Sequence, residues 1–176
     1  AMTIEFWLYR ATNLSECRVL QFGPNGSSSS CQVNFRSDGS VFFFEATGSP
    51  VAGFSIGAGS YALNQWNHVA FVLASSTSMA CYINGVSKFN GTVTAFPSTT
   101  YSLSIGEDSG YALLGNISGL RITKGVARYT GAFTPPTSPY EEGSADPHWS
   151  SVVLSMPLLD NLLDTKGKTV TVTGNT

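Results

Sequence analysis

The chain has 176 residues, of which only 11% are charged, and its formal net charge is −2. Its nine basic residues are scattered, so they do not form the basic patch that nucleic acids or anionic membranes require. No apolar stretch reaches the length of a membrane-spanning helix. The composition therefore argues against nucleic-acid partners and membrane insertion, and it favours one polar domain of ordinary size.

Strand signals dominate the sequence from its first residues. Apolar and polar residues alternate along 3–10, TIEFWLYR, and along 61–74, YALNQWNHVAFVLA. Asp-Gly at 38–39 and Asn-Gly at 84–85 separate strand-like runs, and glycine tolerates the positive φ of a tight hairpin turn. Further strands are predicted at 17–22, 31–36, 101–105, 117–123, 151–156 and 169–173. About ten to twelve short strands predict an all-β fold, an antiparallel two-sheet sandwich or jelly roll.

The three cysteines cannot all pair with one another. A hairpin around the loop GPNGSSSS would place Cys31 opposite Phe22 and Cys17 opposite Arg36. The sulfurs of Cys17 and Cys31 would then lie roughly 16 Å apart at the rise of a strand, which is beyond disulfide reach. We therefore expect reduced and mostly buried cysteines.

The stretch LRITKGVARYTGAFTPPTSPY, which starts at Leu120, is too apolar for a linker and too rich in Gly and Pro for a helix. Leu120 and Ile122 alternate into the core as a strand, and Gly125 allows a sharp turn. We expect Val126 and Tyr129 to hold that turn on the sandwich rim, and the prolines to extend the chain away from the domain.

Five motifs resemble the laminin-G-like, concanavalin A-like jelly-roll domains: TIEFWLY at 3–9, WNHVAFV at 66–72, YINGV at 82–86, SIG at 104–106 and LRITKGVARYTGAFTPPTSPY at 120–140. The last motif is similar to copies in tail, fibre and other structural proteins of bacteriophages and in large bacterial surface proteins. The resemblance implies two antiparallel sheets packed face to face, within a domain that spans residues 1–142.

Residues 143–176 resemble the opening strands of a further copy of the domain. Val152, Leu154 and Met156 form one apolar strand face, and Val170 and Val172 form another. Such faces must be covered. The strands either complete the sandwich of their own chain, or complete a neighbour by strand exchange in a homo-oligomer, or form a mobile tail.

Catalytic patterns are missing from the sequence. Neither a Ser-His-Asp spacing nor the Glu-x-Asp-x-Glu pattern of glycosidases on this fold occurs, and His68 lies in a strand motif that favours a sheet-embedded histidine. We therefore expect no enzyme activity and no required cofactor. Calcium is the one candidate ion, because the resemblance points to Glu107, Asp108 and Asn116 as its ligands. A solvated hairpin tip is the alternative for that loop.

Glycan binding requires exposed aromatic rings beside amides that bond hydroxyls. Tyr61 and Tyr111 stand in Gly-rich loops, and Asn116 follows the second loop, so these three residues are the candidate carbohydrate-binding site. Packing at the sandwich rim is the alternative for both tyrosines. Trp66 opens a strand that we expect to be buried, which places its ring in the core.

The resemblance implies a noncatalytic domain of a bacteriophage virion, in a tail fibre or another surface component. Its partners would be a host-surface glycan or other virion proteins. The alternative is an adhesion or carbohydrate-binding repeat of a bacterial cell-surface protein, which would be extracellular. A glycan-cleaving enzyme is the least favoured alternative.

Overall fold

The computed structural model describes residues 1–11, 15–23, 31–45, 54–93, 102–106, 111–136, 143–158 and 164–167. The strands in these residues are β1 (Met2–Arg10), β2 (Glu16–Phe22), β3 (Cys31–Arg36), β4 (Val41–Glu45), β5 (Phe54–Ile56), β6 (Trp66–Leu73), β7 (Ser78–Ile83), β8 (Val86–Thr92), β9 (Leu103–Ile105), β10 (Gly115–Lys124) and β11 (Val152–Met156). Two short 3-10 helices, Gly143–Ala145 and Trp149–Ser151, precede β11. None of the helices in the described residues is long and apolar enough to cross a lipid bilayer.

The strands form two antiparallel sheets that pack face to face, which confirms the predicted all-β sandwich. The six-stranded sheet has the order β11-β10-β1-β6-β7-β8, and the five-stranded sheet has the order β5-β4-β3-β2-β9. Phe6 of the first sheet packs edge-on against Phe35 of the second, with ring centroids 6.4 Å apart, and it also contacts Phe71 at 6.3 Å. All three rings are fully buried, and truncating one to alanine would cost roughly 3–5 kcal/mol.

The hairpin of β2 and β3 follows the predicted register at one end only. Cys31 lies opposite Phe22 as predicted, but Cys17 lies opposite Phe35 and not opposite Arg36. Val19 is an extra residue in β2, a β-bulge that shifts the register between Arg18 and Leu20. Val19 and Leu20 are both buried, so the side chains do not alternate at this point. The cysteines at 17, 31 and 81 are buried free thiols, as expected.

The backbone conformation and two hydrogen bonds fix the turn between β7 and β8. Asn84 and Gly85 both have positive φ, 52° and 77° respectively, as the predicted two-residue hairpin turn requires. The side-chain carbonyl of Asn84 accepts a hydrogen bond of 2.8 Å from the backbone N–H of His68. The carbonyl of Gly85 accepts another, 3.0 Å long, from the N–H of Phe133. The turn therefore holds a distant segment of the chain.

That segment, residues 125–136, is called the strap. It turns back at Gly125 and crosses the outer face of the six-stranded sheet, where it buries a second apolar cluster. The stacked rings of Tyr129 and Phe133 lie 3.6 Å apart at an interplanar angle of 5°. The expectation of a turn held at the sandwich rim is therefore wrong, since small residues leave room on the sheet face itself. The cluster consists of Ala70, Val72, Ala80 and Tyr82 with Ala127, Tyr129 and Phe133.

Buried charges join the strap and the 3-10 segment to the sheet. The Arg121 guanidinium donates to Glu5 at 2.9 Å and to Asp146 at 3.1 Å, and Arg128 of the strap donates to Asp146 at 2.7 Å. Burial alone would raise the pKa of Glu5, but contacts from His68, Arg121 and Tyr129 outweigh it and hold that pKa below its ordinary value. The pKa of Asp146 is likewise lowered: burial opposes ionisation, whereas both arginines favour it.

The last described strand, β11, lies at the edge of the six-stranded sheet beside β10 of the same chain. Val152 and Met156 are buried, whereas Leu154 is partly buried. On the outer edge, the N–H of Ser155 donates to the carboxylate of Asp164 at 2.7 Å, and its carbonyl accepts from the N–H of Thr165 at 2.8 Å. The predicted strand at 169–173 lies outside the described residues, and exchange between copies stays a prediction.

Candidate functional site

Within the described residues, the strap ends short of one end of the outer face of the six-stranded sheet. In the last row of that end, Tyr9 of β1 lies between Trp66 of β6 and Asn116 of β10. The rings of Tyr9 and Trp66 meet edge to face, with centroids 5.8 Å apart and an interplanar angle of 61°. The side chain of Trp66 is 46% exposed, and Asn116 is exposed as well. An aromatic surface thus stands directly beside an amide.

The next outward-facing row along the sheet also contains an aromatic ring, that of Trp7. Trp7 lies between His68 and Ser118, and its ring centroid is 5.2 Å from that of His68. His68 is fully buried, as its strand motif predicts, with Phe133 of the strap 5.6 Å away from its ring. The rings are therefore held in place by the fold before any ligand arrives. We call this surface the aromatic platform; it consists of Trp7, Tyr9, Trp66, Leu114, Asn116 and Ser118.

The fold and the sequence together assign the chain to a family. Residues 1–128 match the family model of the concanavalin A-like lectin/glucanases superfamily. The chain belongs to this superfamily. No curated protein sequence matches this chain.

Solved structures with the same fold include three of low sequence identity. A proposed carbohydrate-binding protein from Bacteroides ovatus is 16% identical with a TM-score of 0.62, over 89% of this chain and 44% of that one. The CBM40 domain of Ruminococcus gnavus IT-sialidase, bound to α2,3 sialyllactose, is 15% identical with a TM-score of 0.54, over 66% and 71% of the two chains. A heptameric SAP-like pentraxin from Limulus polyphemus is 16% identical with a TM-score of 0.53, over 76% and 65%. The chain therefore spans less than half of the Bacteroides protein.

Trp66 is not a core residue, contrary to the expectation from its strand. It shares its side of β6 with His68, whereas Val69 and Phe71 point into the core. Because successive side chains of a strand alternate, the even position of Trp66 in this sequence already predicts the outer face. The strap covers His68 and stops short of Trp66, and no local pattern reveals where a distant segment ends.

The ring of Tyr61 does not project into solvent, so the expectation of a stacking residue there fails. The residue is only 5% exposed and packs edge-on against Phe35 in the core, with centroids 5.2 Å apart. Its hydroxyl accepts a hydrogen bond of 2.7 Å from Arg10 and donates to the carbonyl of Arg36. Burial raises the pKa of Tyr61 to about 12. Tyr61 is therefore a packing residue, which was the alternative interpretation of its position.

Tyr111 lies beside β2 of the five-stranded sheet, apart from the platform. The residue is 43% exposed, and its ring lies 4.9 Å from the guanidinium of Arg18. The backbone N–H of Arg18 donates to the Tyr111 carbonyl at 2.8 Å. The outer face of the five-stranded sheet is polar but shielded, since Gln21, Gln32 and Asn34 are all buried. Among the predicted site residues, the structure therefore brings neither Tyr61 nor Tyr111 to Asn116.

The predicted calcium ligands are only partly described. Glu107 and Asp108 lie outside the described residues, and Asn116 stands on the platform. In the described part of the chain, no group of three or more His, Cys, Asp or Glu side chains is arranged to hold a metal ion. Calcium binding by the 107–116 loop stays a prediction.

Proposed function

We propose that this lectin-like domain is a noncatalytic glycan-binding module and that the aromatic platform is its binding surface. The exposed ring of Trp66 beside the Asn116 amide carries the proposal. One face of a sugar ring is lined with C–H groups and packs on an aromatic ring, while its hydroxyls require donors and acceptors. Binding sites commonly combine apolar surface with a few fixed polar groups.

The chemistry around the platform supports binding without cleavage. Glycosidases flank the scissile bond with two carboxyl groups, one of which must accept and donate a proton. Glu5, on the same face, is fully buried and paired with Arg121 at 2.8 Å, and Asp146 is paired with the same arginine. Contacts that hold the pKa of both groups low oppose the role of a general acid.

The comparisons favour a setting outside the cell. Two of the similar structures bear names of carbohydrate binding, and one of these is a domain of a sialidase. A carbohydrate-binding repeat of a bacterial surface protein fits these relatives better than a virion component does. The virion setting rests on the resemblance of residues 120–140 alone, and a glycan-cleaving role has no carboxylate pair of the described residues to support it.

A glycan array, run with and without calcium, tests the proposal with three variants. We expect Trp66→Ala to abolish the array signals, while Val86→Ala, a change at an exposed position on β8, keeps them. Tyr111→Ala tests the other sheet. Signals that survive Trp66→Ala, or that disappear with Tyr111→Ala alone, would refute the platform as the binding surface. Release of reducing sugars from the bound glycans would refute the noncatalytic assignment.

A further inference from the structure

Among the described residues, those that border the aromatic platform are uncharged. Asn116 and Leu114 line one side, and Gln65, in the turn before β6, is exposed on the other. The N–H of Asn64 donates to the carbonyl of Arg10 at 2.8 Å, which fixes this turn against the end of β1. Arg10 itself is 1% exposed and donates to Tyr61 in the core. Its charge therefore does not face the platform.

The nearest charges on the same face neutralise one another. Glu5 lies two residues along β1 from Trp7, about 7 Å at the rise of a strand, and about twice that distance from Tyr9. Glu5 and Arg121 are buried and form an ion pair of 2.8 Å. Because the opposite charges of this pair are only 2.8 Å apart, their fields largely cancel at Tyr9 and Trp66, and a ligand there meets little electrostatic potential from them.

Besides the polar groups of its rings, the platform presents two polar side chains, Ser118 and Asn116, and Gln65 adds an amide at the border. The hydroxyl of Ser118 donates to the carbonyl of Pro157 at 3.3 Å, so its hydrogen is already used. The exposed amide of Asn116 offers two donors and one acceptor to a molecule that lies on Tyr9 and Trp66. A sugar hydroxyl can bond to either kind of group. A carboxylate or sulfate would lose hydration and gain no cation from the described residues of the platform in return.

Building on the proposed function, we propose that the aromatic platform binds neutral glycans and that Asn116 determines which of them bind. The rings supply affinity that hardly depends on hydroxyl stereochemistry, because each sugar has an apolar face. The amide supplies discrimination, because its hydrogen bonds depend on where a hydroxyl stands. Nucleic acid is disfavoured on the same grounds: its bases stack on aromatic rings, but its phosphates require a basic groove.

The test is titration calorimetry of the whole chain against neutral polysaccharides and against sialylated, sulfated and uronate-containing glycans. We expect binding to neutral glycans alone, with an affinity that is equal at about 50 mM and about 500 mM NaCl, because none of the described residues on the platform or its border carries a charge that salt could screen. Trp66→Ala should weaken the binding of every neutral glycan by roughly 30-fold or more, as truncation of a central aromatic contact does. Asn116→Ala should weaken the binding of some glycans by about 2- to 10-fold and that of others hardly at all. The order of the glycans by affinity should therefore change.

The outcomes separate this inference from the proposed function. Anionic glycans that bind in a salt-dependent manner and are lost in Trp66→Ala would overturn neutral selectivity, while the platform would remain the binding surface. An equal loss for all glycans in Asn116→Ala would overturn the role of Asn116 in discrimination. Binding that Trp66→Ala leaves unchanged, or no binding to any glycan, would refute the proposed function and this inference with it.

Discussion

Replacing Gly85 by alanine should destabilise the protein far more than the same change at Gly59. Both glycines have positive φ, 77° and 73°, so each alanine pays roughly 1–2 kcal/mol for a left-handed backbone. At Gly59 a Cβ meets nothing within 4 Å, whereas at Gly85 it would lie 1.8 Å from the carbonyl oxygen of Phe133. Only the Gly85 variant must therefore displace the strap.

The additional cost can be estimated from the contacts that the displacement breaks. The hydrogen bond from Phe133 to Gly85 contributes about 1 kcal/mol, and partial exposure of the Phe133 ring adds about 1–2 kcal/mol. The Gly85 variant should therefore lose about 2–3 kcal/mol more than the control, which lowers its Tm by about 4–12 °C relative to Gly59→Ala for a domain of this size. Thermal melts by circular dichroism measure the difference. Equal melting temperatures would show that the strap does not depend on this turn.

Three further predictions follow from the buried charges, from β11 and from the candidate calcium loop. Because the pKa values of Glu5 and Asp146 are held below the ordinary 4.5 and 3.8, the stability they provide is present above those values and is lost as pH falls below them. Asp146→Asn should cost roughly 3 kcal/mol at neutral pH and weaken this acid dependence in denaturant melts; an unchanged pH profile would contradict it. A chain ending at Glu142 should aggregate or lose cooperative melting, because β10 loses β11 and both arginines lose Asp146; a monomeric, equally stable truncation would show that 143–176 is a linker. A chelator should lower Tm by no more than about 2 °C, and a rise above about 5 °C on adding calcium, roughly 1–3 kcal/mol for a domain of this size, would reveal a site at 107–116.

Local patterns account for most of the fold. The Asn84-Gly85 turn combines a residue that tolerates positive φ with one that has no Cβ, and the structure places the hairpin there. Period-two alternation identifies the core side of β6 through Val69 and Phe71. In each case a few neighbouring residues contain the whole physical cause, so a sequence is enough to recognise it.

Features that depend on distant contacts were not predictable in the same way. The bulge at Val19 shifts the register because the core accepts two consecutive side chains, a property of the opposite sheet. The strap lies on the sheet face because Ala70 and Ala80 are small enough to admit Tyr129 and Phe133.

In the candidate site, too, some features follow from local sequence and others depend on distant contacts. Asn116 was recognisable as an amide next to a loop, but its neighbours come from β1 and β6, more than 40 residues away in sequence. Tyr61, in a Gly-rich loop typical of the surface, is buried because Arg10 reaches its hydroxyl. Alternation along β6 already places Trp66 on the outer face, but its exposure there depends on where the strap ends, which no local pattern reveals.

The hydrogen bonds on the outer edge of β11 affect how readily copies of the protein associate through their sheets. With 11% charged residues and a formal net charge of −2, copies of this protein repel one another only weakly. An open strand edge would then invite the sheets of neighbouring copies to join. Asp164 and Thr165 occupy the backbone groups of Ser155 at this edge. Sheet extension from one copy to the next through β11 is therefore disfavoured.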